Sequence, residues 1–302
     1  MAGVTDRAMR QLCAEFGADF VVSEMISAKA VCYGDKKSLE IADITNDKVS
    51  CAIQIFGSEP NIMAKGAKIL YDEYKPSSID INMGCPVHKI CSNGEGSALM
   101  KEPKKACEIV NAVKKSIECP VSVKFRAGWD ENSKNAPEFA KLMENAGADF
   151  LFIHGRTKAQ MYNPPVDFDV IAQVKNSVSI PVIGNGSIYS YDDAENMMLD
   201  TNCDGLGIAR GAWGAPWIFE EIKAKAAGKH YTPPTNNKKI DIAIRHLKLL
   251  IEYKGEYTGI HEARKHLSKY LYGMHGACEA RVEINKCENA DKMIKILENL
   301  VK

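Results

Sequence analysis

The chain has 302 residues, 45% hydrophobic and 26% charged, enough for one barrel of roughly 250 residues with a small appendage. Its 39 basic and 39 acidic residues balance, so composition alone does not announce a nucleic-acid binder. No apolar run approaches the ~20 residues that cross a bilayer, the start lacks the parts of a signal peptide, and the ten cysteines form no CxxC pair. These features argue against a membrane protein, a disulfide framework, and a zinc or iron–sulfur site, and point to a reduced cytoplasmic protein without metal.

A helical pattern at Arg7–Phe16 comes first, with no strand before it. Short Val/Ile/Phe-rich runs follow at Ala18–Met25, Ser50–Phe56, Ser77–Asn82, Pro120–Phe125, Ala148–His154, Ile180–Gly184 and Asp204–Ala209. They are nearly continuous in hydrophobicity, as strands buried on both faces are. Helical patterns lie between or after them at Glu59–Tyr74, Pro103–Ile117, Ala136–Ala146, Phe168–Asn176, Tyr191–Leu199 and Ala215–Ala227. Pro103 and Pro137 sit near helix starts, and Gly17 and Gly147 just past helix ends.

This alternation predicts an α/β protein, a (β/α)8 TIM barrel over residues 1–232. Its first strand would precede Met1 and is absent from this sequence. An open doubly wound sheet is the alternative. The barrel is preferred because polar residues sit at the C-terminal ends of several strands, where barrels place chemistry. Lys229–Lys239 reads as a linker, rich in turn formers. Beyond it, Ile240–Tyr253, Gly259–Leu271, Ala277–Ile284 and Ala290–Val301 carry helical periodicity, predicting a small C-terminal helical bundle over residues 238–302. From Glu221 onward Lys and Arg exceed Asp and Glu by roughly six. That is the footprint of an RNA-binding module, or of an ordinary solvated surface.

Three groups of residues carry chemistry. In Asn82-Met83-Gly84-Cys85-Pro86 a glycine and a proline bracket a cysteine and force a turn at a strand end. A thiol projecting there can act as nucleophile or as general acid, and the polar Asn93–Ser97 stretch beyond it suggests a mobile loop. Gln54, Lys124 and His154 lie at or near three other strand ends and point toward one pocket. A lysine inside a strand is costly unless it meets a polar or anionic ligand, and a flavin ring offers one. Asn185-Gly186-Ser187 and Ala209-Arg210-Gly211 end the last two strands, where barrels bind phosphate. Arg210 adds a charged clamp, and the pattern implies FMN rather than a dinucleotide.

Together these residues resemble the tRNA-dihydrouridine synthase family. The resemblance covers essentially the whole chain. It rests most on Asn82–Pro86, with support from Met1–Asp6, Val123–Trp129, His154–Thr157, Asn185-Gly186, Gly214–Phe219 and the helical His261–His266. It implies an FMN enzyme, reduced by NADPH, that acts as a monomer and saturates the C5=C6 bond of uridines in tRNA, with Cys85 protonating C5. It implies flavin contacts from Met1, Ala2, Gln54, Lys124, His154, Asn185, Gly186, Ser187, Ala209 and Arg210. Asn82 and Arg156 are candidates for the uracil, and Lys89, Arg264, Lys265 and His266 for the RNA backbone. Ser187 stands where the family usually has Asp, and Ala209 where it usually has Gly. The family also carries a strand and a proline ahead of Met-Ala-Gly. Two rival readings are an FMN barrel acting on a free pyrimidine and an RNA-binding remnant without flavin.

Overall fold

A computed structural model describes residues 1–45 and 47–302. Helix α1 (Arg7–Glu15) is capped by Asp6, whose carboxylate accepts the Met9 N–H at 3.0 Å. Strands β1 (Phe20–Val22) and β2 (Ile26–Ser27) replace the single strand predicted over Ala18–Met25. The break lies at Ser23, whose hydroxyl, not a backbone carbonyl, accepts the Gln54 N–H at 3.0 Å. Helices α2 (Ala28–Cys32) and α3 (Lys36–Ala42) follow and were not predicted. They are too short to display a 3.6-residue period, although Ser27 and Asp35 cap them.

The regular alternation follows: β3 (Ser50–Phe56), α4 (Pro60–Tyr74), β4 (Ser78–Met83), the one-turn α5 (His88–Cys91), α6 (Pro103–Ser116), β5 (Val121–Arg126), α7 (Ala136–Asn145) and β6 (Phe150–His154). Then come α8 (Phe168–Ser177), β7 (Val182–Asn185), α9 (Tyr191–Thr201), β8 (Gly205–Gly207) and α10 (Ile218–Ala226). All pairings are parallel, in the order β1-β3-β4-β5-β6-β7-β8, with β2 also on β3. The sheet curls as a (β/α)8 barrel does. Phe20 on β1 meets Phe150 on β6 edge-on at 6.1 Å across the interior. Among the described residues β8 and β1 are not paired, so the barrel is open along that line. The core between sheet and helices is built from Ile53, Ile55, Ile79, Ile81, Val121, Val123, Leu151 and Ile153, all fully buried.

The register sets the layers of the barrel mouth. Gln54 lies opposite Asp80, Asn82 opposite Lys124, Arg126 opposite His154, and His154 opposite Asn185. Side chains on alternate strand positions share a face. The polar residues therefore converge inside the barrel instead of scattering.

The tail begins at Asn236, not after Lys239 as the linker reading placed it, because the Thr235 side chain caps α11 (Asn236–Tyr270). That helix breaks at Gly255 (φ 75°, ψ 164°) into two arms, as the periodicity of the two predicted helices required. Helices α12 (Ala277–Lys286) and α13 (Ala290–Asn299) pack on it. Ala8 and Leu12 of α1 join the tail's apolar cluster, so tail and barrel share a core. No helix among the described residues is long and apolar enough to cross a membrane.

At this junction His246 and His266 are fully buried, their rings 4.4 Å apart, beside Asp6, Lys254 and Tyr270. Burial lowers His246 to about 3 and His266 to about 4, so both are neutral at physiological pH. The unfolded chain takes up these protons first. Stability is therefore full above the ordinary value of 6.5 and is lost as pH falls below it. Each histidine withdraws about 2 kcal/mol by pH 5. The urea midpoint should fall steeply between pH 6.5 and 5, and less so in His246→Asn. A midpoint unchanged over that range would show that the pair is not held neutral.

Candidate active site at the strand ends

Cys85 follows β4 in a turn that Asn82 ties down. The Asn82 side-chain oxygen, Oδ1, accepts the N–H of Gly84 at 3.1 Å and of Cys85 at 2.9 Å. From below, the Cys85 carbonyl accepts the Ser97 N–H and hydroxyl at 3.1 and 2.8 Å. Burial pushes the thiol above its usual range, more than the Val87 N–H and the charges of Arg126 and Lys124 offset. The thiol is thus a proton carrier at neutral pH. His88 is exposed on α5 and makes no hydrogen bond to Cys85, so it is not placed as a base that would activate a thiolate.

The segment Gly96–Lys101 is a 3-10 helix wedged under that turn, not the open loop the sequence suggested. Gly96 has φ +58°, and an added Cβ would lie 2.9 Å from the Cys85 carbonyl oxygen and 3.0 Å from its Cβ. Gly96→Ala should therefore displace the cysteine turn. We expect roughly tenfold or greater loss of turnover with flavin content unchanged. Unchanged turnover would show that the turn tolerates the shift.

Opposite the cysteine, Lys124 donates to the Asn185 side-chain oxygen at 3.3 Å, and the Asn185 amide donates to Gly207 O at 2.5 Å. Burial lowers Lys124 to about 8, with Arg126 adding to the effect. His154 is pushed down to about 2, by burial and by Lys124, Arg126, Arg156 and Arg210 around it. Arg156 Nη1 lies 3.3 Å from His154 Nε2. A guanidinium only donates, so Nε2 accepts and the proton sits on Nδ1. Met1 reaches the same region: burial lowers its amino group to about 6, with Glu24 and Lys124 nearby. Ala2 is exposed beside it.

Ser187 adopts φ +52°, and its hydroxyl accepts Arg156 Nη2 at 2.8 Å. The small residue thus keeps a cationic partner where the family has a carboxylate. The Ala209–Arg210 loop rests directly on the Gly186–Ser187 loop: a Cβ on Gly211 would collide with the Ile188 carbonyl. The Arg210 guanidinium sits 4.7 Å from the Tyr162 ring and 5.9 Å from Tyr189. Four cations surround one neutral histidine. Such a cluster calls for an anion, and phosphate-loop geometry beside it fits a flavin mononucleotide.

Several predicted roles change. Arg156 is 2% exposed and donates to His154, Ser187 and the Asn163 carbonyl, tying the end of β6 to the loop after β7. His266 is fully buried in the tail junction and cannot reach an RNA backbone. Arg264 donates to the Cys287 carbonyl at 2.8 Å and ties α11 to the segment after α12. Lys89 is exposed on the rim, and Lys265 is half-buried at 3.6 Å from Glu262. Gln54 donates its amide to Asp80 and accepts the Asn82 amide with its side-chain carbonyl.

Two site residues escaped sequence reasoning. Asp80 is fully buried beneath Gln54. Arg126 donates from Nε to Gly84 O and from Nη1 to the carbonyls of Thr157 and Met161. It joins the cysteine turn to the loop after β6. Both lie inside strands, where a charged residue in a barrel was the available signal.

The family model for dihydrouridine synthase (Dus) matches residues 1–302. The chain is 40% identical over 306 residues to tRNA-dihydrouridine synthase B of Vibrio parahaemolyticus, covering 99% of this chain and 92% of that one. It is 39% identical over 293 residues to tRNA-dihydrouridine synthase B of Pseudomonas aeruginosa, with 96% and 88% covered. It is 38% identical over 287 residues to a probable tRNA-dihydrouridine synthase of Rickettsia conorii, with 94% and 86% covered. Among solved structures it is similar in fold to histamine dehydrogenase from Rhizobium sp. 4-9, with TM-score 0.56 and 15% identity, over 85% of this chain and 45% of that one. The open barrel, the cysteine turn and this match along its whole length agree: the chain belongs to the dihydrouridine synthase family.

Proposed function

We propose that this protein reduces the C5=C6 bond of uridines in tRNA to 5,6-dihydrouridine, with FMN as its resident cofactor and NADPH as reductant. The observation that carries this reading is the Cys85 turn at the end of β4, tied down by Asn82 and Arg126 and set beside the Lys124 charge. Bound flavin would supply the hydride for uracil C6.

The chain's own residues do the rest. Lys124 lies where it can meet negative charge on a reduced ring. Asn185, Gly186, Ser187, Ala209 and Arg210 would hold the phosphate end, braced by Arg156. Neutral His154 accepts from Arg156 and keeps Nδ1–H free for a ligand oxygen. Met1 and Ala2 close the near side. Cys85 delivers a proton to C5, and Asn82, one residue layer below, is placed to meet the uracil edge.

A base inside a stacked helix cannot enter such a mouth, so the target nucleotide must leave the stack. Lys89, exposed beyond β4, and Lys265 on α11 are suited to backbone phosphates. The protein is proposed to act as a cytoplasmic monomer.

The test uses purified holoenzyme with photoreduced flavin. Unmodified tRNA should reoxidise it anaerobically, and free uracil should not. Reoxidation by uracil at a similar rate would favour a free-pyrimidine reductase.

A further inference from the structure

Asp80 sits at the bottom of the mouth, fully buried, one layer below the residues assigned to cofactor and base. Its two carboxylate oxygens accept the Ser122 hydroxyl and the Gln54 amide, each at 2.6 Å. The Gln54 carbonyl then accepts the Asn82 amide at 2.9 Å. The Asn82 carbonyl in turn accepts the N–H groups of Gly84 and Cys85. No helix or loop interrupts this chain, which crosses from β5 through β4 and β3 and back to β4.

A side-chain amide can face either way, and an unanchored pair such as Gln54 and Asn82 has two self-consistent directions. Here one end is fixed by chemistry. A backbone N–H only donates, so the Asn82 side-chain carbonyl faces Gly84 and Cys85 and its NH2 faces Gln54. The Gln54 NH2 is then left to face Asp80, which supplies the buried acceptor. Burial raises the Asp80 carboxyl above its usual range, and a carboxyl oxygen accepts in either protonation state.

We propose that Asp80 is a positioning residue for uridine reduction, its buried carboxyl oxygen anchoring the Gln54–Asn82 relay that holds the Cys85 turn in place and aims the Asn82 amide. This rests on the function proposed above. Asp80 touches neither substrate nor thiol. Its effect passes through two amides to a turn whose displacement by about 1 Å costs up to ~10²-fold in rate.

The chemistry supplies a conservative control. Asp80→Leu leaves the Gln54 NH2 facing an apolar group, so the relay loses its last bond. Asp80→Asn keeps it: the side-chain carbonyl introduced there turns to Gln54, and its NH2 donates to the Ser122 hydroxyl, which can accept.

Two readouts are taken on purified holoenzyme: alkylation of Cys85 by iodoacetamide, followed by peptide mass, and single-turnover reoxidation of photoreduced flavin by unmodified tRNA. D80L should alkylate several-fold faster and reoxidise roughly 10-fold to 10²-fold slower, with tRNA KM within about twofold of wild type. D80N should keep both readouts near wild type. Wild-type behaviour in D80L, or D80N as impaired as D80L, overturns the proposal. If D80L does not fold, Gln54→Leu breaks the same relay one bond later and is read in its place, and wild-type behaviour there overturns the proposal. Wild-type enzyme that ignores tRNA would sink the functional reading, while the alkylation series would still test the relay.

Discussion

Replacing Cys85 with alanine should slow uridine reduction by roughly 10²–10⁴-fold, the range for loss of a positioned general acid, while flavin stays bound. The reason is its surroundings. Burial favours the protonated thiol, Arg126 and Lys124 pull more weakly toward thiolate, and the neighbouring His88 is exposed and not bonded to it. Reduction of the flavin by NADPH needs no proton from this residue, so that half-reaction should keep its wild-type rate. The split is diagnostic. Equal slowing of both half-reactions would make Cys85 a flavin-site residue, and no slowing of either would leave it without a chemical role.

Lys124→Met should have two effects of opposite sign. In flavin-free protein the buried ammonium is unfavourable: burial and Arg126 lower Lys124 from 10.5 to about 8. The unfolded chain holds this proton more tightly, so the cost is present in full below pH 8 and fades as pH rises from about 8 toward 10.5. Methionine removes the charge and fills the space, so the flavin-free variant should melt at a higher temperature than wild type at pH 7. The same change removes a charge-assisted bond to the ligand and should weaken flavin binding by roughly tenfold or more. Lower stability together with unchanged flavin affinity would mean that Lys124 serves the barrel core and not a ligand.

Much of this architecture could be read from the sequence because parallel strands buried on both faces announce themselves as continuous apolar runs. Ser50–Phe56 was predicted to the residue. The others shifted by one or two residues at an end, as at Gly205–Gly207, where the chain leaves the sheet before Arg210. The first strand failed differently: the Ser23 hydroxyl took a ladder bond, a substitution that hydrophobicity does not encode.

The cysteine turn was legible because Gly84 and Pro86 restrict its backbone. Side-chain direction was not. Arg156, Arg264 and His266 are polar residues in polar-looking stretches, yet each turns inward. Arg156 braces a loop, Arg264 takes the Cys287 carbonyl, and His266 stacks in the seam that α1 makes with the tail. Those seams depend on contacts between segments more than 20 residues apart, which no local pattern records. Asp80 was hidden for the same reason: its partners Gln54 and Ser122 come from neighbouring strands in register.

The most direct test is to incubate holoenzyme with NADPH and tRNA lacking modifications, digest the tRNA, and weigh its nucleosides. The expected product is dihydrouridine, a uridine heavier by two hydrogens, formed by wild type and nearly absent with Cys85→Ala. Flavin-loaded protein that oxidises NADPH but leaves every uridine at its original mass would contradict uridine reduction as the activity of this chain.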